Sequence, residues 1–138
     1  MLKKIAVLGA GNGGYVMAAD LSMVGHEVNL YELPEYAENN LGPVIERGGI
    51  EVISQDTSGV EIILSAGGKS GFTKISGKVS SDIKEAISGV DIIMLVVPGF
   101  VREKFIRTFA PYLEDGQIIA IWPGYFGALQ CAKLLKDL

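Results

Sequence analysis

Residues 5–14, IAVLGAGNGG, contain the clearest indication of the fold of this chain. Its first four residues are apolar and two of them are β-branched, which is typical of a strand buried on both faces of a parallel sheet. The next six match the pattern G-x-G-x-x-G, and residues 13–23 then become helical in character. A glycine-rich turn between a buried strand and a helix is the context in which this pattern binds the pyrophosphate of a dinucleotide.

The turn has a separate predicted role for each of its three patterned glycines. Gly9 permits the tight turn, Gly11 lets the backbone approach a phosphate, and Gly14 allows the helix to pack closely on the strand. The free N–H groups and partial positive charge of the helix N-terminus face the same place. The predicted cofactor contacts are therefore Gly9, Ala10, Gly11, Asn12, Gly13 and Gly14, with a purely structural turn as the alternative.

An acidic residue follows the second predicted strand. Residues 27–31 form that strand, after a helix stop at Gly25, and Glu32 comes next. A carboxylate at this place accepts hydrogen bonds from the diol of an adenosine ribose and repels a 2′-phosphate. Residues 33–38, LPEYAE, contain no cation. The sequence therefore favours NAD over NADP, with a solvated glutamate as the alternative.

Strands and helices alternate through the rest of the chain. Residues 33–47 contain two prolines and a glycine and predict only one or two short helical turns, and a small meander of short strands is expected around residues 49–78. Further helices are predicted at 81–88, 101–109 and 126–135, and strands at 91–97 and 117–122. The fold class is thus α/β, a Rossmann-type, doubly wound and mainly parallel sheet carrying one inserted meander.

Helical periodicity assigns faces to the last two helices. In the first, Val101, Phe105 and Phe109 share a buried face while Arg102, Glu103 and Arg107 face solvent. In the second, the residues predicted to be buried are Leu129, Ala132 and Leu135.

Two prolines end the central strands at 91–97 and 117–122. Val97-Pro98 and Pro123 lie at carboxyl ends, where ligands bind in open α/β sheets, so these residues are candidates for the pocket around the cofactor ribose and nicotinamide. They are equally consistent with ordinary strand stops.

Composition limits the class of protein. A chain of 138 residues with 49% hydrophobic residues is one globular domain, predicted to span 1–138. A net charge of −4 and a pI near 5.0 argue against nucleic-acid or anionic-membrane partners. The longest apolar stretch, residues 91–101, is too short to span a membrane, and a cytoplasmic location is expected. With one cysteine (Cys131) and one histidine (His26), neither a disulfide nor a metal site is expected; Cys131 is interpreted as a packing residue and His26 as a surface or packing residue.

Several motifs together resemble one family. They are NGG at 12–14, GHEV at 25–28, VSSDI at 79–83, VVP at 96–98 and WPGYFGAL at 122–129. This set is similar to the N-terminal NAD(P)-binding domain of the octopine/opine dehydrogenases, and the resemblance covers essentially the whole chain. The glycerol-3-phosphate and ketopantoate-type dehydrogenases share the fold.

The resemblance implies a reaction, and it also implies that the catalytic residues lie outside this sequence. Enzymes of that family reductively condense an amino acid with a 2-oxo acid, taking hydride from NAD(P)H. It implies cofactor contacts at the glycine turn, at Glu32, and near Pro98 and Pro123. The family's catalytic histidine–aspartate pair lies in a helical C-terminal domain that this sequence does not match, and His26 is not its counterpart. No catalytic residue is therefore assigned.

A partner is expected for two reasons. The chemistry needs groups that the sequence lacks, and the strand at 117–122 would otherwise form an apolar sheet edge. We expect an NAD(H)-binding domain or subunit, inactive alone, that pairs with a second copy or with a separately encoded helical catalytic subunit. The alternatives are a dinucleotide-sensing regulatory protein without chemistry, and the first domain of a glycerol-3-phosphate or ketopantoate-type dehydrogenase.

Overall fold

A computed structural model describes residues 1–52 and 71–138. In chain order the strands are β1 (Lys4–Leu8), β2 (Glu27–Tyr31), β3 (Ile50–Val52), β4 (Gly71–Thr73), β5 (Val79–Ser80), β6 (Ile92–Val96) and β7 (Ile118–Trp122). The helices are α1 (Asn12–Val24), α2 (Pro34–Arg47), α3 (Ile83–Ile87), α4 (Gly99–Phe109) and α5 (Gly127–Asp137), with a 3-10 turn at Ala110–Tyr112.

Five strands form one sheet in the order β5-β2-β1-β6-β7, and every neighbouring pair in it is parallel. The chain moves outward from β1 through β2 to β5 and then returns to the other side of β1 at β6. Leu8, the last residue of β1, is in register with both Tyr31 and Leu95. The carboxyl ends of the three central strands therefore meet where the strand order reverses, which is where doubly wound sheets bind ligands. The predicted Rossmann-type sheet is confirmed.

The two faces of the sheet carry separate cores. Alternate residues of a strand point to opposite faces. One set of sheet residues packs with α3, α4 and α5, and comprises Ala6, Leu8, Tyr31, Ile93 and Leu95. The other packs with α1 and α2, and comprises Ile5, Val7, Val28 and Leu30. Helices on both faces explain why β1 is apolar at consecutive positions.

The insertion contains a small antiparallel pair. β3 pairs with β4, with Ile50 opposite Thr73, as expected for a short strand meander in this region. Residues 53–70, the middle of the expected meander, lie outside the described residues.

Residues 34–47 correct one expectation. They form a single helix instead of one or two short turns. Pro34 occupies the first turn, where a missing N–H costs nothing, and Leu41 and Val44 are buried against the sheet. Burial of this face outweighs the helix-breaking tendency of Pro43, which lies inside the helix.

The predicted face of α4 is confirmed except at Arg102, whereas the predicted face of α5 is wrong. In α4, Arg102 is buried although it was expected in solvent, whereas Glu103 and Arg107 are exposed and form an ion pair at 2.8 Å. In α5, Leu129 and Ala132 are exposed and Leu135 is half-buried, while the buried residues are Gly127 and Cys131. A Cβ on Gly127 would lie 2.7 Å from Arg102 Nη1, so the two errors concern residues that face each other.

Cys131 lies in the core with 4% of its surface exposed, and burial raises the pKa of its thiol. Because the thiolate is the nucleophile, the native protein is expected to react with an aromatic disulfide reagent at neutral pH far more slowly than the unfolded protein. Timed thiol titrations with and without denaturant measure this. Equal rates in both states would contradict the burial of Cys131.

Within residues 1–52 and 71–138, no helix is long and apolar enough to cross a bilayer. The same residues contain no cluster of three acidic, cysteine or histidine side chains that could hold a metal ion.

Candidate functional site

The glycine turn after β1 is fixed to both neighbouring strands. Gly9 adopts a left-handed φ of 101° that favours glycine. Its N–H donates to the carbonyl of Tyr31 at 2.9 Å, and a Cβ at this position would lie 2.8 Å from the carbonyl oxygen of Val96. The turn therefore lies across the carboxyl ends of β1, β2 and β6.

Gly11 and Gly14 differ in what surrounds them. A Cβ on Gly14 would overlap the carbonyl oxygen of Gly9 and lie 2.8 Å from its carbonyl carbon. A Cβ on Gly11 would meet nothing within 4 Å. Gly14 is thus needed for helix α1 to approach the turn, whereas Gly11 borders open space.

The start of α1 is open to an anion. Its N-cap residue is Gly11, which makes no side-chain capping bond, and the first turn contains no acidic residue. The first N–H groups of a helix have no intrahelical acceptor, and together with the helix dipole they attract negative charge. This arrangement suits a phosphate group.

Glu32 lies beside this turn, with only 5% of its surface exposed. Its Oε2 accepts from the N–H of Ala10 and from Asn40 Nδ2, each at 2.9 Å. Its Oε1 accepts from the N–H of Leu33, also at 2.9 Å. The alternative of a solvated strand-end glutamate is wrong, because these contacts enclose the carboxylate. Of its roughly four lone-pair directions, one on Oε1 is left for a further donor.

Two tyrosines adjoin Glu32. Burial, and then the charge of Glu32, raise the pKa of Tyr31 to about 12 and also raise that of Tyr15. The Tyr15 hydroxyl donates to the carbonyl of Asn40. Both phenols stay neutral at physiological pH, so they add hydrogen bonding and apolar area at this edge without adding charge.

The remaining predicted site residues follow β6 and β7. Val97 is buried, and its Cγ1 lies where a Cβ of Gly9 would be. Pro98 is the N-cap of α4, and Pro123 follows β7; both are exposed. The structure therefore brings Val97 against the glycine turn and sets the two prolines at neighbouring strand ends.

Arg102 links these strand ends and was missed from the sequence. Its Nη2 donates to the carbonyl oxygen of Pro123 at 2.8 Å, and its Nη1 donates to Gln130 Oε1 at 3.3 Å. The sequence does contain a pattern that indicates its burial. Arg102, Phe105, Ile106 and Phe109 follow the i, i+3, i+4, i+7 spacing of one helix face.

His26 lies at the opposite end of the sheet. It precedes β2, and its Nδ1 accepts from the N–H of Lys3 at 3.0 Å. It is a packing residue, as expected.

No protein-family profile matches the chain, but curated proteins do. An opine dehydrogenase of Arthrobacter sp. (strain 1C) is 31% identical over 136 residues, covering 98% of this chain and 33% of that protein. Octopine dehydrogenase of Pecten maximus is 27% identical over 139 residues, covering 99% and 33%. A glycerol-3-phosphate dehydrogenase [NAD(P)+] of Lactobacillus delbrueckii subsp. bulgaricus is 30% identical over 119 residues, covering 86% and 30%. The chain spans about a third of the length of the relatives it matches.

Solved structures show the same resemblance to octopine dehydrogenase. Octopine dehydrogenase with NADH and pyruvate superposes with a TM-score of 0.80 at 25% identity, covering 99% of this chain and 33% of that one. A ketopantoate reductase of Ralstonia eutropha JMP134, at 21% identity and a TM-score of 0.63, covers 98% and 38% and shares the fold. The predicted resemblance to the octopine and opine dehydrogenases is confirmed.

Proposed function

We propose that this homologue of the N-terminal third of the opine dehydrogenases binds NAD(H) across the carboxyl edge of its sheet and presents it for hydride transfer. The observation that carries the proposal is the open space at Gly11. It lies at an uncapped helix N-terminus, beside a buried carboxylate, where the strand order reverses.

The cofactor would lie across the edge in three parts. The pyrophosphate would lie against residues 9–14 at the start of α1. The adenosine ribose would lie on the β2 side, where Glu32 Oε1 has a lone pair free. The nicotinamide half would then extend over the ends of β6 and β7, against Val97, Pro98 and Pro123.

Preference for NAD over NADP rests on charge. A 2′-phosphate on the ribose would lie close to the Glu32 carboxylate, which is held in place by three donors. Among the described residues, Lys104 of α4 lies beside the segment that follows Glu32 and forms an ion pair with Glu35. That pairing lowers the pKa of Glu35 and raises that of Lys104. The charge of Lys104 is thus already compensated by the Glu35 carboxylate.

Calorimetric titration tests the proposal. NADH is expected to bind at least about tenfold more tightly than NADPH, because one charged hydrogen bond to the ribose accounts for about 1.5–3 kcal/mol. ADP-ribose should also bind, since it carries the pyrophosphate and the adenosine ribose. Equal weak binding of NADH and NADPH would contradict the proposal.

The proposed reaction is reductive condensation of an amino acid with a 2-oxo acid, the activity that the relatives' names suggest. The bound cofactor would supply the hydride, while proton transfer needs an acid or base near the reacting carbon. The single histidine lies at the other end of the sheet. We infer that the domain alone is inactive and that a second domain or subunit supplies this group.

The surface around β7 supports a partner. Among the described strands β7 pairs only with β6, and its Ile118 and Trp122 are exposed. An apolar edge of this kind is normally covered. A second copy of the chain or a separate helical subunit would cover this edge.

The single cysteine is buried, which fits a cytosolic location.

A glycerol-3-phosphate-type dehydrogenase is the second candidate, because one such enzyme matches at 30% identity over 86% of the chain. It would use the same cofactor site, so the titration tests both, and substrate screening separates them.

A further inference from the structure

We propose that Arg102 is a positioning residue that holds the loop after β7 in the shape needed to receive the nicotinamide half of the cofactor. This inference rests on the proposed function. It names the residue that fixes the wall of the crevice where hydride would be transferred.

Arg102 is a buried charge without a counterion among the residues that the structure describes. Its side chain is 3% exposed, and the ion pairs of the described residues do not include it. Its Nε has no hydrogen-bond partner within residues 1–52 and 71–138. A buried guanidinium is costly unless a negative group compensates it.

The surroundings make this cost larger. Arg102 is in the first turn of α4, and its guanidinium also contacts Gly127, the first residue of α5. Both helix N-termini carry partial positive charge, which disfavours a cation. Stability therefore does not account for an arginine at this position, and its two hydrogen bonds point to another role.

Those bonds enclose a strained loop. Tyr125 and Phe126 have φ values of 37° and 58°, in the left-handed region that aromatic residues avoid. Their side chains are 84% and 85% exposed, so packing does not offset the strain. Arg102 bonds to Pro123 before them and to Gln130 after them. Strained backbone held by its surroundings is typical of functional sites.

Gly127 is fitted to the guanidinium. A Cβ at this position would lie 2.7 Å from Arg102 Nη1 and 2.8 Å from Cζ. Arg102 Nη2 also lies 4.0 Å from the position that a Cβ would take on Gly99, the first residue of α4. One side chain thus connects the start of α4, the helix that follows β6, with the loop after β7, and both lie on the nicotinamide side of the proposed site.

The test is Arg102→Met, which keeps the length of the side chain and removes its charge and donors. Exposed Pro123 can bond to water instead, so the melting temperature is expected to stay the same or rise. Affinity for NADH should fall about tenfold, whereas affinity for ADP-ribose, which lacks the nicotinamide, should change less than about twofold. Arg107→Met, at an exposed position of α4, is the matched control and should change neither affinity.

Two further readouts complete the test, the first without ligand and the second with bound NADH. Hydrogen exchange of the amides at 124–127 should accelerate in Arg102→Met without any ligand. Trp122, the one tryptophan, precedes the loop, so energy transfer from it to bound NADH should weaken. Gly127→Ala, whose methyl would displace the guanidinium, should reproduce both effects.

The outcomes separate the inference from the proposed function. A lower melting temperature with equal losses of NADH and ADP-ribose affinity would show that Arg102 is only structural. Unchanged NADH affinity and unchanged exchange would also overturn the inference. If wild-type protein bound neither ligand, the proposed function would fail, and the positioning role would fail with it even if exchange in the loop accelerated.

Discussion

Gly14→Ala is expected to abolish measurable NADH binding and to lower the free energy of unfolding by at least about 3 kcal/mol, the upper range for overpacking. The added methyl would overlap the carbonyl oxygen of Gly9 and lie 2.8 Å from its carbonyl carbon. Both are backbone atoms, so no side-chain rotation relieves the clash. Helix α1 must move away from the turn, and its N-terminal amides move with it. Urea denaturation measures the stability, and calorimetry measures the binding.

Gly11→Ala separates binding from folding at the same turn. Its Cβ would meet nothing within 4 Å, and the backbone there is extended, with φ −85° and ψ −168°, which alanine tolerates. The free energy of unfolding should change by less than about 0.5 kcal/mol. NADH affinity should still fall by about tenfold or more, because the methyl would occupy the space of the pyrophosphate.

A helix glycine provides the control for this pair. Gly42 in α2 also borders open space, so Gly42→Ala should leave NADH affinity unchanged. If Gly11→Ala bound NADH as tightly as Gly42→Ala does, the pyrophosphate would not lie where we place it.

The central sheet could be read from the sequence because its signal is local. Four consecutive apolar residues followed by glycine specify β1 without reference to the rest of the chain, and the apolar run at 92–97 that ends at Pro98 specifies β6 in a similar way. The position of Glu32 after β2 follows directly. Its burial does not, because its enclosure depends on Asn40 in α2 and on Ala10 in the turn.

Helix rotation was harder to predict, because two apolar stripes overlap in α4. One contains Val101, and the other places Arg102 with Phe105, Ile106 and Phe109. The charge of Arg102 favours the prediction that the first stripe is the buried one, since isolated buried arginines are rare. Val101 does pack against the core, but Arg102 is buried as well, where Gly127 leaves room for the guanidinium, and that contact joins residues distant in sequence. The rotation of α5 was misjudged for the same reason.

The structure also changes what Glu32 variants should do. A simple charge argument predicts that Glu32→Arg converts the preference from NADH to NADPH. Three donors point at this side chain, however: the N–H groups of Ala10 and Leu33 and the amide of Asn40. An arginine accepts no hydrogen bond and would add a buried charge among donors. We expect Glu32→Arg to lower the free energy of unfolding by about 2–5 kcal/mol without gaining NADPH affinity.

Glu32→Gln is the variant that tests the ribose contact itself. It keeps one oxygen for the donors and removes the negative charge, so the fold should persist with a loss of about 1–3 kcal/mol. NADH affinity should fall about tenfold while NADPH affinity stays level or improves, because the 2′-phosphate is no longer repelled. Glu38→Gln, an exposed change of the same kind in α2, should alter neither affinity. Tight NADPH binding by a stable Glu32→Arg protein would contradict this expectation. It would show that the charge at position 32, and not the three surrounding donors, determines the cofactor preference.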